Sequence, residues 1–295
     1  MTLNAPPRLL LVHAHPDDES LTTGGTIARY AAGGVQVTLV TCTLGEEGEI
    51  IPEQLGMLAA GSADQLGGYR MGELRAACAA LGVADHRYLG GIGRWRDSGM
   101  VGTAANAHPR ALVRGDLTEQ VAVLTEVLDD VWPAVVITYG PDGGYGHPDH
   151  IRAHEITMAA CAGFPSVQRV YYAVTSRSAV RAGVAALSGM DGLPFRLPGD
   201  GELPSVADEE ITTVLPVTDS IPAKLLALRA HATQISVWQD DKGGASYALS
   251  NGIAQPVLDA EHFTLALGEP AGADADLFGG LDATSATDGP DGESR

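Results

Sequence analysis

Residues 8–42, RLLLVHAHPDDESLTTGGTIARYAAGGVQVTLVTC, decide the predicted fold. The run 9–13 is short, continuous and apolar, which is typical of a central parallel strand buried on both faces. Residues 25–32 can form a helix that ends at Gly33 and Gly34, and residues 35–42 are rich in β-branched side chains. The stretch therefore predicts a β-α-β unit.

The alternation of helices and strands continues as far as residue 174. Further helices are predicted over 72–81, 117–131 and 149–162, and further strands over 87–89, 134–139 and 167–174. This order favours an α/β fold in three layers with a mostly parallel sheet.

The chain becomes irregular after the last of these strands. Residues 176–208 are rich in Gly and Pro and show weak periodicity, so no element is predicted there. A strand is predicted over 211–215. A helix follows through residue 232, capped by Asp219 or Ser220, with Pro222 in its first turn.

Residues 269–295 carry seven acidic residues and one basic residue among many small ones. This composition predicts a disordered acidic tail. We therefore expect a single α/β domain over 1–268, with a core at 8–175 and a C-terminal part at 209–268.

Composition narrows the range of partners and compartments. The chain has 295 residues and a formal net charge of −19, which disfavours nucleic acid and membrane surfaces as general partners. The three cysteines lie far apart in apolar stretches and are expected to be reduced core thiols. The first apolar run is too short for a signal segment and no stretch reaches membrane-spanning length, so we expect a cytoplasmic protein. No feature encodes the oligomeric state.

Two loops that combine histidine, proline and aspartate follow predicted strands. Residues 15–19 read His-Pro-Asp-Asp-Glu after the first strand, and residues 147–150 read His-Pro-Asp-His after a later one. Ligands gather at the carboxyl ends of parallel strands, so both loops are expected at one edge of the sheet. Imidazole and carboxylate suit Zn²⁺ and its first-row neighbours, and a catalytic site needs three protein ligands and one open position. The remaining carboxylate and imidazole suit a general base and an oxyanion stabiliser.

Each loop also has a simpler interpretation than a metal site. A lone His-Pro-Asp is more often a turn, and an Asp after Pro can simply cap a helix. The first loop lacks the Gly-x-Gly-x-x-Gly of a nucleotide site, since Gly24 and Gly25 come too late. No Gly-x-Ser-x-Gly elbow supports a serine hydrolase. The occurrence of two such loops after buried strands favours the metal site.

The two loops resemble those of the zinc-dependent N-acetylglucosaminyl deacetylases of the PIG-L/LmbE type. Four further segments resemble the deacetylase branch of mycothiol biosynthesis, namely 41–49, 65–70, 93–100 and 230–234. The resemblance implies a Rossmann-like three-layer sandwich and removal of acetate from N-acetylglucosaminyl-inositol.

The resemblance also implies roles at the metal. It implies that His15, Asp18 and His150 bind one Zn²⁺ per chain, although Fe²⁺ also tolerates two histidines and an aspartate. It implies that Asp17 is the general base. A metal would lower the pKa of water toward ~7, so that Asp17 could accept a proton and later deliver it to the leaving amine.

On the second loop, the resemblance implies that His147 acts as an electrostatic stabiliser or general acid and is oriented by Asp149. It places Tyr145 near the developing oxyanion. A single donor to such an oxyanion can contribute roughly 3 kcal/mol.

Substrate contacts are expected from polar side chains of other loops, because hydroxyl-rich ligands need fixed donors and acceptors. Arg70 and Asp97 are the main candidates, with Glu49 and Met100 as weaker ones. A surface ion pair is the competing interpretation for Arg70, and simple exposure for Glu49. The sequence assigns no firm role to three residues, Glu19, His13 and His231.

Three alternatives stay open at this stage. One is a mycothiol S-conjugate amidase with the same metal and fold. Another is a deacetylase of some other N-acetylated amino sugar. The third, a non-catalytic sugar-binding module, is disfavoured because every residue of the catalytic set is present.

Overall fold

The structure is a computed structural model that describes residues 6–281. Its helices are α1 (Asp18–Ala32), α2 (Leu66–Leu81), α3 (Leu117–Val131), α4 (Pro148–Cys161), α5 (Arg177–Leu187) and α6 (Ile221–Ala230). Its strands are β1 (Arg8–His13), β2 (Gln36–Thr41), β3 (Asp85–Tyr88), β4 (Val135–Thr138), β5 (Arg169–Val174), β6 (Thr213–Pro216), β7 (Ser236–Gln239), β8 (Ala245–Ala248), β9 (Gln255–Pro256) and β10 (Ala260–Leu267).

A seven-stranded sheet in the order β3-β2-β1-β4-β5-β10-β6 forms the centre. The first five strands in that order are parallel, and β10 runs antiparallel to both β5 and β6. A smaller sheet, β7-β8-β9, lies in the C-terminal part. The predicted mostly parallel α/β fold is confirmed.

Alternation along β1 produces the three layers. Leu9 and Leu11 pack with α1, α2 and α6 on one face of the sheet, whereas Leu10 and Val12 pack with α3 and α4 on the other. Successive side chains of a strand point to opposite faces, so a continuous apolar run is what a strand covered on both sides requires.

The pairing of β1 with β4 sets the position of the two loops. Leu9 pairs with Val135 and Leu11 with Ile137 in parallel register. The carboxyl ends of both strands therefore reach the same edge of the sheet, as expected from the sequence.

Two helices begin earlier than predicted. Helix α1 starts at Asp18 rather than residue 25, and α2 starts at Leu66 rather than residue 72. In α1 the hydroxyl groups of Thr22 and Thr23 bond to the carbonyl oxygens four residues back, at 2.9 and 3.0 Å. Burial of this turn outweighs the low helix propensity of Thr and Gly.

The region 176–208, predicted to be irregular, contains helix α5. Its N-cap is Ser176, whose hydroxyl accepts the backbone N–H of Ala179 at 3.0 Å. Strands β7 to β10 were not predicted, because residues 236–267 lack a clear period-two pattern. The predicted helix over 220–232 is α6, with Pro222 in its first turn, and it ends two residues early at Ala230.

The disordered tail predicted from Glu269 is wrong for residues 269–281, which pack on the core. Leu277 is fully buried there. The guanidinium of Arg169, 1% exposed, donates to backbone carbonyl oxygens of this segment, those of Glu269, Ala271, Leu277 and Gly279. One buried guanidinium thus supplies hydrogen-bond donors to backbone carbonyl groups that would otherwise need water. The rest of the predicted tail, 282–295, and residues 1–5 lie outside the described residues.

Between residues 6 and 281, no helix is both long enough and apolar enough to cross a membrane.

Two helical glycines are predicted to respond oppositely to alanine. Gly72 is exposed on α2 and an added Cβ meets nothing within 4 Å, so Gly72→Ala should raise the free energy of unfolding by about 0.5–1 kcal/mol. At Gly25 of α1 the added Cβ would lie 2.7 Å from the Val217 side chain, so Gly25→Ala should lower the free energy of unfolding by roughly 1–3 kcal/mol. Urea unfolding of both variants measures the difference, and equal effects would contradict the packing described here.

Candidate metal centre

Three side chains from the two loops meet at the edge of the sheet. His15 follows β1, Asp18 begins α1, and His150 lies in the first turn of α4. His15 Nδ1 lies 3.3 Å from His150 Nε2 and 3.4 Å from Asp18 Oδ2. His150 Nε2 lies 3.4 Å from Asp18 Oδ1. All three residues are buried.

These separations fit a tetrahedral metal. With bonds of about 2.0–2.1 Å, the ligand atoms of a tetrahedral site lie roughly 3.4 Å apart. His15 Nε2 lies 3.2 Å from Asp149 Oδ2, and His150 Nδ1 lies 3.1 Å from the carbonyl oxygen of Gly143. A proton on each of these outer nitrogens leaves the other nitrogen of both rings with its lone pair toward the centre.

Tyr139, which is not among the predicted site residues, supports Asp18. Its hydroxyl donates to Asp18 Oδ2 at 2.7 Å, and the backbone N–H of His15 donates to the same oxygen at 2.8 Å. The Tyr139 ring also stacks on His150 at 4.2 Å. The sequence signal that could have predicted Tyr139 is its position directly after β4, at the edge of the sheet where the two loops meet. His13 Nδ1 lies 3.3 Å from the Tyr139 hydroxyl oxygen, so His13 supports the site through Tyr139.

The charge of Asp18 is well supported. Burial alone would raise the pKa of Asp18, but His150 and His15 beside it hold the pKa well below its usual value. The carboxylate is therefore ionised, as a metal ligand must be.

The carboxylates of Asp149 and Asp97 lie beside His15. Asp149 Oδ2 accepts the backbone N–H of Ser98 at 2.8 Å as well as facing His15 Nε2. Asp97 Oδ1 lies 3.5 Å from the same nitrogen. The Asp149 carboxylate thus contacts His15 and Ser98, while its backbone N–H bonds to His147, and the implied role of Asp149 in orienting His147 stays a prediction. Both carboxylates favour a proton on Nε2 of the His15 ring.

His147 caps helix α4. Its Nδ1 accepts the backbone N–H of Asp149 at 3.1 Å, so a neutral ring carries its proton on Nε2. Burial and the nearby rings of His15 and His150 lower the pKa of His147 to about 3. His147 is also close enough to these two histidines to complete a three-histidine ligand group, with ligand atoms within 4.8 Å. The shorter separations of the set with Asp18 match a tetrahedral centre more closely.

Asp17 lies next to Asp18 in an unusual backbone conformation. Its φ of 118° is one that residues with a Cβ rarely adopt. Burial raises the pKa of Asp17 to about 6, partly opposed by the positive charge of Arg70. Asp17 therefore changes charge near neutral pH, which suits a general base.

Arg70 is buried beneath Asp17, so the competing interpretation as a surface ion pair is excluded. It is 3% exposed, and its guanidinium donates to Asp17 Oδ2 at 2.9 Å and to the carbonyl oxygen of Gly45 at 2.7 Å. A third bond reaches the carbonyl oxygen of Pro16. These contacts hold the loop of Asp17 in place.

The other selected residues lie at the surface. Tyr145 is 55% exposed, with its ring 5.0 Å from that of His150. Glu49 and Met100 are exposed on loops that follow β2 and β3. Their contact with a substrate stays a prediction.

Comparison with known sequences matches residues 10–161 to the family described as PIG-L, GlcNAc-PI de-N-acetylase. The chain is 69% identical over 281 residues to a protein of Actinosynnema mirum named 1D-myo-inositol 2-acetamido-2-deoxy-alpha-D-glucopyranoside deacetylase, covering 95% of this chain and 99% of that relative. A Rhodococcus erythropolis protein of the same name is 54% identical, with 95% and 99% covered.

Solved structures resemble the fold. N,N'-diacetylchitobiose deacetylase from Pyrococcus horikoshii aligns with a TM-score of 0.50 and 23% identity, over 79% of this chain and 72% of that one. The 4-carboxy-2-hydroxymuconate hydratase of Pseudomonas putida aligns with a TM-score of 0.56 and 18% identity, over 89% and 97%. At such low identity these similarities concern the fold alone.

Loss of the Tyr139 hydroxyl is predicted to weaken metal binding. Tyr139→Phe removes the bond to Asp18 and should lower the affinity for Zn²⁺ by about 10–100-fold. Competition with a chromogenic chelator measures the affinity. Tyr145→Phe is the matched control, since that ring also packs on His150 but its residue is largely exposed. Equal affinities of the two variants would contradict the role of Tyr139.

Proposed function

This chain belongs to the PIG-L family, and on that premise we propose that it hydrolyses the acetamide of N-acetylglucosaminyl-inositol, giving glucosaminyl-inositol and acetate, in mycothiol biosynthesis. The named relatives match nearly the full length of the chain, which supports the same substrate. The carrying observation is the buried cluster of His15, Asp18 and His150, with ligand atoms 3.3–3.4 Å apart and Asp17 adjacent.

We assign His15, Asp18 and His150 as ligands of one divalent metal, Zn²⁺ or Fe²⁺, since both tolerate this donor set. When bound there, the metal supplies Lewis acidity, which polarises a carbonyl group and lowers the pKa of water. The remaining steps depend on groups of the chain itself.

Asp17 is the general base of this proposal. Its pKa of about 6 leaves it mostly ionised at neutral pH yet basic enough to accept a proton from the attacking water. The same carboxyl group then delivers that proton to the leaving amine. Arg70 holds Asp17 Oδ2 at 2.9 Å and so fixes the direction of the carboxylate.

His147 acts as a neutral hydrogen-bond donor. Its pKa of about 3 keeps the ring uncharged, and the bond at Nδ1 leaves the Nε2–H free for the developing oxyanion. This environment favours electrostatic stabilisation over general-acid catalysis. Tyr145, at the opening of the site, contributes a second donor in this proposal.

Recognition of the sugar is assigned to Arg70, Asp97, Glu49 and Met100. Asp97 is buried, with Oδ1 accepting the backbone N–H of Gly99 at 2.8 Å. Burial alone would raise the pKa of Asp97, but His15 and the N–H of Gly99 hold the pKa below its usual value. Asp97 is therefore an ionised acceptor held at a fixed position, as recognition of a hydroxyl group requires.

Acetate release from N-acetylglucosaminyl-inositol is the direct test of the activity. We expect release with added Zn²⁺ or Fe²⁺, loss on treatment with a chelator, and recovery when metal is restored. The same preparation is assayed with a mycothiol S-conjugate. A faster reaction with the conjugate would identify the protein as an amidase instead, and no turnover of either by the metal-loaded protein would reject the proposed function.

The pH dependence tests the role of Asp17. Because the base must be ionised, kcat/KM should fall as the pH drops through about 6, and should be level above it. Asp17→Asn should lower kcat by about 10²–10⁴-fold with the metal content unchanged. Full activity of Asp17→Asn at normal metal content would rule out Asp17 as the base.

A further inference from the structure

Glu19 and His231 form a buried pair behind the metal centre, although the sequence assigns a role to neither. Both residues are fully buried. His231 Nε2 lies 2.7 Å from Glu19 Oε1, across 212 residues of sequence. Burial of the pair is costly unless each polar atom is matched, so its presence directly beside the catalytic loop needs an explanation.

The second oxygen of Glu19 contacts the backbone of the proposed base. Glu19 Oε2 accepts the N–H of Asp17 at 2.9 Å. The φ of Asp17 is 118°, in the region that favours glycine, so this peptide would relax unless neighbouring groups held it. Its carbonyl oxygen accepts the N–H groups of Ser20 and Leu21, both at 2.9 Å. Glu19 therefore holds the backbone N–H of Asp17, whose carbonyl oxygen the helix already holds.

His231 is itself held in place by the segment that follows α6. Thr233 donates to Glu73 of α2 through its backbone N–H at 2.8 Å and its hydroxyl at 2.7 Å. The N–H of Ile51 donates to the carbonyl oxygen of Thr233 at 2.9 Å. Helix α2 also carries Arg70, which holds the Asp17 carboxylate. Helix α2 therefore supports both parts of Asp17. It supports the side chain through Arg70, and the backbone through the segment of His231 and through Glu19.

The contacts of the His231 ring are one-sided. Within residues 6–281, its Nδ1 is buried without a hydrogen-bond partner. The contact at Nε2 with Glu19 is therefore the polar contact that the ring makes in the described structure. A residue that only filled space there could be apolar.

We propose that Glu19 and His231 act as a positioning pair that sets the backbone, and hence the carboxylate, of Asp17 for proton transfer. This inference rests on the proposed function, in which Asp17 is the base. It gives residues 231–234 of the C-terminal part a role in the reaction, exerted through Asp17 rather than on the substrate.

The test compares His231→Leu with His231→Gln. Leu removes the hydrogen-bond donor to Glu19. The side-chain amide of Gln reaches about as far as His231 Nε2 and can still donate to Glu19. We expect His231→Leu to lower kcat by about 10–100-fold, as a misplacement near 1 Å does, with KM and metal content little changed. His231→Gln should recover most of the activity. If His231→Leu does not fold, His231→Asn replaces it, since its shorter amide does not reach Glu19.

A double-mutant cycle with Asp17→Asn separates positioning from a purely structural role. If His231 acts through Asp17, His231→Leu should cost little further activity in the Asp17→Asn background. His262→Leu, a second buried histidine of the C-terminal part, is the matched control and should keep kcat near wild type.

Two results would overturn the pairing: additive losses in the cycle, or a kcat near wild type for the Leu or Asn variant of His231. Full activity of Asp17→Asn would instead reject the proposed base, so the two failures are distinguishable.

Discussion

The parallel pairing of β1 with β4 is the constraint on which the metal centre depends. His15 and His150 are separated by 135 residues, yet their facing nitrogens lie 3.3 Å apart. Strands rise about 3.3 Å per residue, so a slip of one residue between β1 and β4 would displace one loop by as much as the whole ligand separation. Such a slip would also exchange the side chains of β1 between the two core clusters, each of which is packed around particular residues. The packing of Leu9 and Leu10 into opposite core clusters therefore fixes the register and, through it, the ligand geometry.

Two neighbouring carboxyl groups of the first loop have different electrostatic surroundings. Asp18 is buried and the adjacent Asp17 is partly buried, but their pKa values shift in opposite directions. Asp18 receives the Tyr139 hydroxyl and faces two imidazoles, so its charge is stabilised. Asp17 has Arg70 as its cationic neighbour, and burial prevails. Two carboxyl groups in one loop thus suit two tasks, one as a ligand and one as a base, because their surroundings differ.

The C-terminal part completes the fold and the site. Strands β10 and β6 extend the central sheet, and Arg169 gathers the carbonyl groups of residues 269–281. The sequence predicted disorder there because small and acidic residues predominate. Composition could not reveal that one buried guanidinium from β5 would meet four of their carbonyl oxygens. Helix α5 was missed because it lies in a region rich in Gly and Pro, although its own eleven residues are amphipathic and Ser176 caps it.

The sequence by itself determined the β-α-β start, the parallel arrangement and the two loops that carry histidine and aspartate. Each of these depends on local periodicity or on the residue type at a strand end, which a linear sequence displays. The tertiary structure alone decided which group each residue contacts. It placed the Asp149 carboxylate beside His15 and Arg70 beneath Asp17, and it joined Glu19 to His231. Such pairings depend on strand register and helix packing over more than fifty residues of separation, and no local pattern encodes them.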